Sequence, residues 1–229
     1  MDILQVKNIS KSFDEKVIID NVSFNVPKGK IVGLLGKNGS GKTTILKMIN
    51  DLLTIDSGEI LINGEHISPK TKLEVSYLPE RSYLDNSLTV AQTLQYFQDF
   101  YSNFDIELAK KLLTDLDLDI NAKLSKMSKG MKEKVQLILV MSRHASIYIL
   151  DEPLGGVDPS TRDYILRTIL SNFDENSSLL ITTHLVADVE KILDDVILID
   201  KGKIILNDTA DNLRNAHMAS IDEIFRRVV

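Results

Sequence analysis

Strand-like and helix-like spacings of apolar residues alternate along the first third of the chain. The segment "VSFNV" (22–26) alternates apolar and polar residues, as a half-buried strand does. In "GEILINGEHI", Asn63-Gly64 separates two apolar runs, which favours a hairpin. The apolar segment "KIVGLLG" (30–36) ends in glycine and precedes one helical stripe, formed by Ile45, Met48, Ile49, Leu52 and Leu53. The pattern predicts a small antiparallel sheet beside the strand–loop–helix unit that opens a parallel α/β fold.

The middle of the chain, about 88–145, has helical periodicity without strand alternation. Its three segments are "LTVAQTLQYFQDFY", "DIELAKKLLTDL" and "MKEKVQLILVMSRHA". Apolar strands return afterwards as "IYIL", "LLIT" and "VILID", separated by helical segments such as "STRDYILRTILSNF". The tail "ASIDEIFRRVV" is a short amphipathic helix expected to pack on the core. We therefore expect a helical insert within an α/β core.

Composition narrows the class of protein. The 229 residues suit one large domain, and 27 basic against 33 acidic residues give a net charge of −6. That balance disfavours a nucleic-acid binder, so no nucleic-acid partner is expected. The chain has no cysteine, which excludes disulfides and thiolate metal sites. Neither a secretion signal nor a membrane-spanning apolar run is apparent, so another chain would have to supply any membrane part.

The segment "GKNGSGKT" (36–43) fits the pattern G-x-x-x-x-G-K-[ST] between a predicted strand and a predicted helix. Its glycines allow backbone N–H groups to surround phosphate oxygens, and the helix N-terminus favours anions. Lys42 adds a mobile positive charge, and the Thr43 hydroxyl is a suitable Mg²⁺ ligand. The expected nucleotide-binding residues are Phe13, Gly36, Lys37, Asn38, Gly39, Ser40, Gly41, Lys42, Thr43 and Thr44.

Two further strand ends carry polar side chains. "IYILDEP" (147–153) ends in two acids, of which Asp151 is expected to hold Mg²⁺ and Glu152 to orient or deprotonate a water molecule. "ITTHL" (181–185) places His184 at a neighbouring strand end, where its ring can hydrogen-bond a phosphate or that water. The other three histidines lack such a setting.

In this order, the phosphate loop, helical insert, acidic strand end, "GGVDP" and strand-end histidine resemble the nucleotide-binding domain of ABC transporters. Nearly the whole chain is covered, and "YLPERSYLD" and "MSKGMKEK" resemble the bacterial subgroup that serves ABC-2-type exporters of drugs, antibiotics and peptides. The resemblance implies a P-loop NTPase core with a parallel sheet, an N-terminal antiparallel β subdomain and an inserted α-helical subdomain. The implied single domain divides into a core at about 1–79 and 146–215, a helical subdomain at about 80–145 and a C-terminal helix at 216–229.

The family's site roles transfer to matching positions of this sequence. Phe13 matches the aromatic residue that stacks on adenine, although a core aromatic of the small sheet is the alternative. Glu80 replaces the usual glutamine of the Q-loop; its carboxylate can ligate Mg²⁺ or position water but cannot donate an amide N–H. Asp158 matches the D-loop, which communicates between subunits.

The segment Met127-Ser128-Lys129-Gly130-Met131 matches the signature segment, which usually has the sequence L-S-G-G-Q. Ser128 suits an N-cap of a helix over residues 131–145, and with Gly130 is expected to contact the γ-phosphate held by a second chain. Lys129 either adds charge at that phosphate or faces water.

The resemblance implies an ATP- and Mg²⁺-dependent ATPase that works as a homo- or heterodimer with separate membrane permease subunits at the cytoplasmic face of the cell membrane. Residues 81–98 would receive the permease, although a solvated loop has a similar composition. The alternatives are a soluble non-transport ABC ATPase, a P-loop kinase and a nucleotide-dependent regulatory subunit.

Overall fold

The computed structural model describes residues 1–155, 158–173 and 175–229. Within these residues the chain forms ten strands, nine α-helices and a short 3-10 helix at Leu124–Lys126. The strands are β1 (Asp2–Phe13), β2 (Lys16–Pro27), β3 (Ile31–Leu35), β4 (Ser57–Ile62), β5 (Glu65–His66), β6 (Val75–Leu78), β7 (Ile147–Asp151), β8 (Ser178–Thr183), β9 (Asp195–Asp200) and β10 (Lys203–Thr209). The helices are α1 (Lys42–Ile49), α2 (Pro69–Leu73), α3 (Val90–Phe100), α4 (Ile106–Asp115), α5 (Lys129–Met141), α6 (Pro159–Asn172), α7 (Val186–Val189), α8 (Ala210–His217) and α9 (Ile221–Val228). None of the helices in the described ranges is long and apolar enough to cross a membrane.

The central sheet has the strand order β10-β9-β3-β8-β7-β6, and only its β10–β9 pair is antiparallel. Strands β3, β7 and β8 are buried along their whole length, as expected for parallel strands covered on both faces. Their carboxyl ends lie side by side, with Leu35 paired to Thr183 and Asp151 paired to Thr182. This edge of the sheet is where parallel α/β folds bind ligands.

A smaller antiparallel sheet, in the order β2-β1-β4-β5, covers one side of the core. The predicted hairpin is confirmed, since Asn63 and Gly64 turn the chain with φ values of 52° and 77°, as a type I′ turn requires. Elsewhere in this sheet, a Cβ on Gly58 would lie 2.4 Å from the Lys7 carbonyl oxygen. That position therefore excludes any larger residue without movement of the backbone.

Buried apolar residues form two clusters on opposite faces of the central sheet. One joins that sheet to β1, β2 and α1. The other joins it to the helices of the insert, α6 and the C-terminal helices, and includes Ile221, Ile224 and Phe225 of α9. The amphipathic tail therefore packs on the core, as its pattern predicted.

The predicted fold class is confirmed, but two helix ends differ from the prediction. Helix α1 ends at Ile49, and Leu52 is 64% exposed rather than part of the apolar stripe. Helix α5 covers Lys129–Met141 instead of 131–145. Just beyond the end of the helix, Arg143 forms a backbone bridge with Phe104, and its buried side chain donates hydrogen bonds to the Val75 and Leu73 carbonyls at 2.7 and 3.0 Å. Strands β1, β6 and β10 and helices α2 and α8 were not predicted.

Candidate functional site

The loop between β3 and α1 is shaped by close backbone approaches. A Cβ on Gly36 would lie 2.5 Å from the Ile199 carbonyl oxygen, and one on Gly41 would lie 2.5 Å from Ile19 Cδ1. Gly41 also has a φ of 110°, which disfavours a side chain. Helix α1 begins at the next residue, so its first N–H groups face the loop without intrahelical acceptors. These groups form an anion-binding concavity.

A cavity of about 420 Å³ opens over this loop. Its lining brings together most of the residues predicted to bind nucleotide with two of the predicted catalytic carboxylates: Asn38, Gly39, Gly41, Lys42, Thr43 and Thr44 with Glu80 and Glu152, and also Ile18. Gly36, Lys37 and Ser40 lie in the same loop but outside this lining. Exposed Lys37 donates to the Val229 carbonyl, while Ser40 is buried and its carbonyl accepts the Gly202 N–H at 3.0 Å.

Lys42 extends beneath the loop and is only 5% exposed. Its Nζ lies 2.7 Å from the Gly36 carbonyl oxygen and 3.2 Å from that of Lys37. It also lies 3.3 Å from Glu152 Oε1, a contact with the distance of an ion pair but without hydrogen-bond geometry. The ammonium group therefore links the loop to the end of β7.

Asp151 ends β7 and is 1% exposed. Its Oδ1 accepts hydrogen bonds from the hydroxyls of Thr182 at 2.7 Å and Thr43 at 3.3 Å. Burial raises the pKa of Asp151; the two hydroxyls oppose this shift, and the carboxylates of Glu80 and Glu152 add to it. Oδ2 has no hydrogen-bond partner within the described part of the chain.

Thr43 and Asp151 fit the requirements of Mg²⁺. The ion prefers oxygen ligands and usually takes only one or two carboxylates, completed by water and substrate phosphates. The unpaired Oδ2 of Asp151 and the adjacent Thr43 hydroxyl supply such oxygens. In the described ranges, no group of three or more histidine and acidic side chains could hold a metal by itself. These residues therefore support a Mg²⁺ site that substrate phosphates complete.

Glu152 connects Lys42 with His184. Its Oε2 lies 2.9 Å from His184 Nδ1 and accepts the His184 backbone N–H at 3.3 Å. The Glu152 side chain is 8% exposed, whereas the His184 side chain is 40% exposed. Glu152 also has a φ of 50°, an uncommon conformation for a residue other than glycine, asparagine or aspartate. The backbone thus holds this carboxylate at the cavity wall, between a cation and an imidazole ring.

The remaining predicted residues lie at different distances from this centre. Exposed Glu80 follows β6 and lines the cavity. Phe13 is 46% exposed at the end of β1, next to Lys11, and is not among the lining residues. Asp158 is the N-cap of α6 and accepts the Thr161 N–H at 3.1 Å. Two residues of "GGVDP", Gly156 and Val157, lie outside the described residues.

The signature segment lies apart from the cavity over the phosphate loop. Ser128 is exposed and caps α5 by accepting the Met131 N–H at 3.2 Å. The Lys129 side chain is 78% exposed and lies 3.6 Å from Glu133 Oε1, so in this structure it faces solvent. A Cβ on Gly130 would meet nothing within 4 Å. These residues present an open surface rather than a wall of this chain's own cavity.

Sequence reasoning missed two residues of the site. Thr182 donates a hydrogen bond to Asp151 and so orients it. It belongs to the segment "ITTHL", and its place at the same strand end as His184 could have indicated this role. Ile18 supplies the apolar edge of the cavity from the distant strand β2. No local pattern indicated that contact.

Comparison with known proteins gives consistent matches. The family model described as "ABC transporter" matches residues 19–155. The chain is 33% identical over 193 residues to the ABC transporter ATP-binding protein YtrB of Bacillus subtilis, which covers 83% of this chain and 66% of that protein. It is 32% identical to the linearmycin resistance ATP-binding protein LnrL of B. subtilis (92% and 70% covered) and 29% identical to the Nod factor export ATP-binding protein I of Cupriavidus metallidurans (88% and 69% covered). The chain therefore spans about two thirds of the length of these curated relatives.

Among solved structures, the ATP-binding subunit of an ABC transporter superposes with a TM-score of 0.90 at 29% identity, covering 99% of both chains. A bacterial Atm1-family ABC exporter with ATP bound superposes with a TM-score of 0.82 at 20% identity, covering 99% of this chain and 42% of that chain, which indicates a shared fold.

Proposed function

The chain belongs to the ABC transporter family of ATP-binding proteins, and on that premise we propose that it hydrolyses ATP to power a bacterial exporter. One observation carries the proposal: Lys42 and Glu152 line the cavity over the phosphate loop, and contacts run from Lys42 through Glu152 to His184. A nucleotide-dependent regulatory subunit does not require this arrangement. The signature segment and the D-loop position would also have no role in a P-loop kinase.

In the proposed mechanism, the loop amides and Lys42 bind the triphosphate of ATP. Mg²⁺, held by Thr43 and Asp151 with Glu80 nearby, would neutralise developing charge on the phosphates. Glu152 accepts a hydrogen bond from the attacking water and orients it, because its carboxylate lies at the cavity wall. His184 fixes the position of Glu152 through its 2.9 Å contact. Phe13 is proposed to stack on the adenine.

We propose a head-to-tail dimer as the working unit. Ser128 and Gly130 lie at the N-terminus of α5, outside the cavity of their own chain, with space in front of them. A helix N-terminus with a free surface favours an anion, and the γ-phosphate bound by a second chain has that chemistry. Asp158 is placed in the proposed contact between the two chains. The same proposal covers a homodimer and a heterodimer.

A groove of about 700 Å³ supports a separate membrane subunit as partner. It lies between α1, α2 and β6 on one side and α3 on the other, and its exposed apolar side chains include Leu52, Tyr83 and Phe100. Tyr83 stacks on Phe97 at 6.2 Å between ring centroids, so two residues of the predicted segment 81–98 line this groove. An aromatic groove of this size suits an amphipathic helix of a permease.

The direction of transport and the location of the chain are also part of this proposal. Two relatives are named for Nod factor export and for linearmycin resistance, which supports the proposed export of drugs, antimicrobial peptides or other amphipathic molecules. The chain would then work at the cytoplasmic face of the cell membrane, held there by the permease. We also propose the division into a core (1–79 and 146–215), a helical subdomain (80–145) and a C-terminal helix (216–229).

The proposal is tested by ATP hydrolysis in the Glu152→Gln variant. Turnover should fall at least about a hundredfold, the lower range for loss of a general base, while ATP binding persists. Glu107→Gln, on the exposed surface of α4, is the matched control and should retain wild-type turnover. Near-normal turnover in Glu152→Gln would remove Glu152 from its role, and absence of turnover in the wild-type chain would refute the ATPase proposal.

The partner is tested by affinity purification from native membranes. A membrane protein should co-purify with the wild-type chain and be lost from Phe100→Lys, since a charge in the groove opposes burial of an apolar helix. Met218→Lys, at an exposed site beyond α8, serves as control. Recovery of soluble partners alone would favour the non-transport ATPase.

A further inference from the structure

A small second cavity lies behind the catalytic carboxylates. Its volume is about 30 Å³, and it is bounded by α5, by the end of β7 and by the residues that follow β6. Its polar lining consists of Glu80, Glu133, Gln136, Asp151 and Glu152. It thus shares Glu80 and Glu152 with the cavity over the phosphate loop and is also lined by α5, the helix that begins in the signature segment.

Gln136 is the unusual member of this lining. It is 3% exposed, and its Nε2 has no hydrogen-bond partner among the described residues. A buried amide without an acceptor is unfavourable, and buried polar groups in folded proteins are nearly always paired. Among the described side chains that line the cavity, Gln136 is the one with N–H donors.

The same cavity contains unpaired acceptors. Within the described ranges, one oxygen of each of Glu133, Asp151 and Glu152 is buried without a hydrogen-bond partner. The N–H groups of Gln136 and these carboxylate oxygens, all without hydrogen-bond partners in the described part of the chain, therefore belong to residues that line the same cavity. A polar cavity of about 30 Å³ accommodates one water molecule, which needs two to four polar partners, and these groups supply them.

We propose that Gln136 is a positioning residue for ATP hydrolysis, which donates a hydrogen bond through one buried water to the carboxylates of Asp151 and Glu152. The inference rests on the proposed ATPase function. Gln136 would also supply an amide donor next to Glu80, whose carboxylate replaces the usual glutamine and cannot donate an N–H. Because Gln136 and Ser128 belong to the same helix and its cap, movement of the signature segment on contact with a second chain would reach the carboxylates of this chain's own site.

The test separates kcat from KM in two variants of the full chain. Gln136→Met keeps the side-chain length and removes the donors, and Gln136→Glu keeps the shape but adds a charge. We expect kcat to fall about tenfold in the Met variant, the size typical of an outer partner of a ligating group, and further in the Glu variant. The KM for ATP should change less than about twofold, since the amide lies behind the carboxylates rather than at the phosphate loop. Leu139→Met, in the same helix but away from the cavity, is the control for core packing and should retain wild-type kcat.

Thermal unfolding of the same variants distinguishes positioning from a purely structural role. Unchanged kcat in the Met variant would overturn the inference, and a raised Tm beside it would identify Gln136 as an unpaired glutamine without a role. If Gln136→Met does not fold, a high-resolution crystal structure of the unaltered chain decides. A water bonded to Gln136 Nε2 and to Asp151 or Glu152 supports the proposal, and a dry cavity refutes it.

The two proposals fail in different ways. A wild-type chain without turnover, or an active Glu152→Gln variant, removes the ATPase proposal and this inference with it. An active wild-type chain and an inactive Glu152→Gln variant, together with wild-type kcat in Gln136→Met, remove only the role of Gln136.

Discussion

The isosteric change Asp151→Asn should make the nucleotide-free protein more stable while it abolishes Mg²⁺-dependent turnover. Asn keeps the oxygen that accepts from Thr182 and Thr43 and replaces the unpaired Oδ2 by an N–H donor facing Glu80 and Glu152. Removing a buried carboxylate charge whose Oδ2 has no direct protein donor in the described ranges contributes about 1–3 kcal/mol. A chain of this size gains about 2–4 °C in Tm per kcal/mol, so about 2 kcal/mol corresponds to roughly 4–8 °C.

The pH dependence of this gain has a defined sign. Burial raises the pKa of Asp151 in the folded chain above its unfolded value of about 4. The stability that a protonated Asp151 contributes is therefore fully present below about pH 4 and is lost as the pH rises through the folded pKa. Consequently the stability advantage of the Asp151→Asn variant over the wild-type protein should be largest at neutral pH and should shrink in acid.

The assay is differential scanning calorimetry of the two proteins across pH, with and without Mg²⁺ and ATP. Ligand should raise the Tm of the wild-type protein, because binding to the folded state alone stabilises it, and should raise that of the variant much less. Asp163→Asn, at an exposed position on α6, controls for the loss of one charge. A lower Tm for Asp151→Asn at neutral pH, or an undiminished response to Mg²⁺, would refute the reasoning.

Four further changes test the packing, the helix cap and the loop. Gly58→Ala should lower the free energy of unfolding by about 3 kcal/mol, since its Cβ would lie 2.4 Å from a backbone carbonyl. Gly64 also has a positive φ, but a Cβ there would meet open space. Gly64→Ala should therefore lower the free energy of unfolding, measured by urea denaturation, by only about 1 kcal/mol. Ser128→Ala should lower the free energy of unfolding by about 1 kcal/mol, because the cap of α5 is lost. It should also reduce ATP-driven dimerisation in sedimentation experiments. Undiminished dimerisation would contradict the proposed contact of Ser128 with the phosphate bound by the second chain. Lys42→Ala should weaken ATP binding about 10- to 150-fold by calorimetric titration, and unchanged affinity would count against the loop assignment.

The fold and the centre of the site could be predicted because their signals are local. "GKNGSGKT", "ILDEP" and "ITTHL" each follow an apolar strand, and parallel strands bring their carboxyl ends to one edge. Contacts distant in sequence had no such signal. Arg143, just beyond the end of α5, donates a hydrogen bond to the carbonyl of Val75, 68 positions earlier. The cavity lined by the carboxylates also involves Gln136, which in sequence is the one polar residue of the apolar run 135–141.

The contacts of Lys42 indicate what ATP binding must change. In this structure its ammonium group is satisfied by two loop carbonyls and lies 3.3 Å from Glu152 Oε1. A triphosphate carries more negative charge than Glu152, so it competes favourably for Lys42 once it enters the loop. Glu152 then keeps His184 as its partner and has an oxygen available for a water molecule. Glu152 would therefore stay paired with Lys42 until ATP binds, and ATP itself would release it to act as the general base.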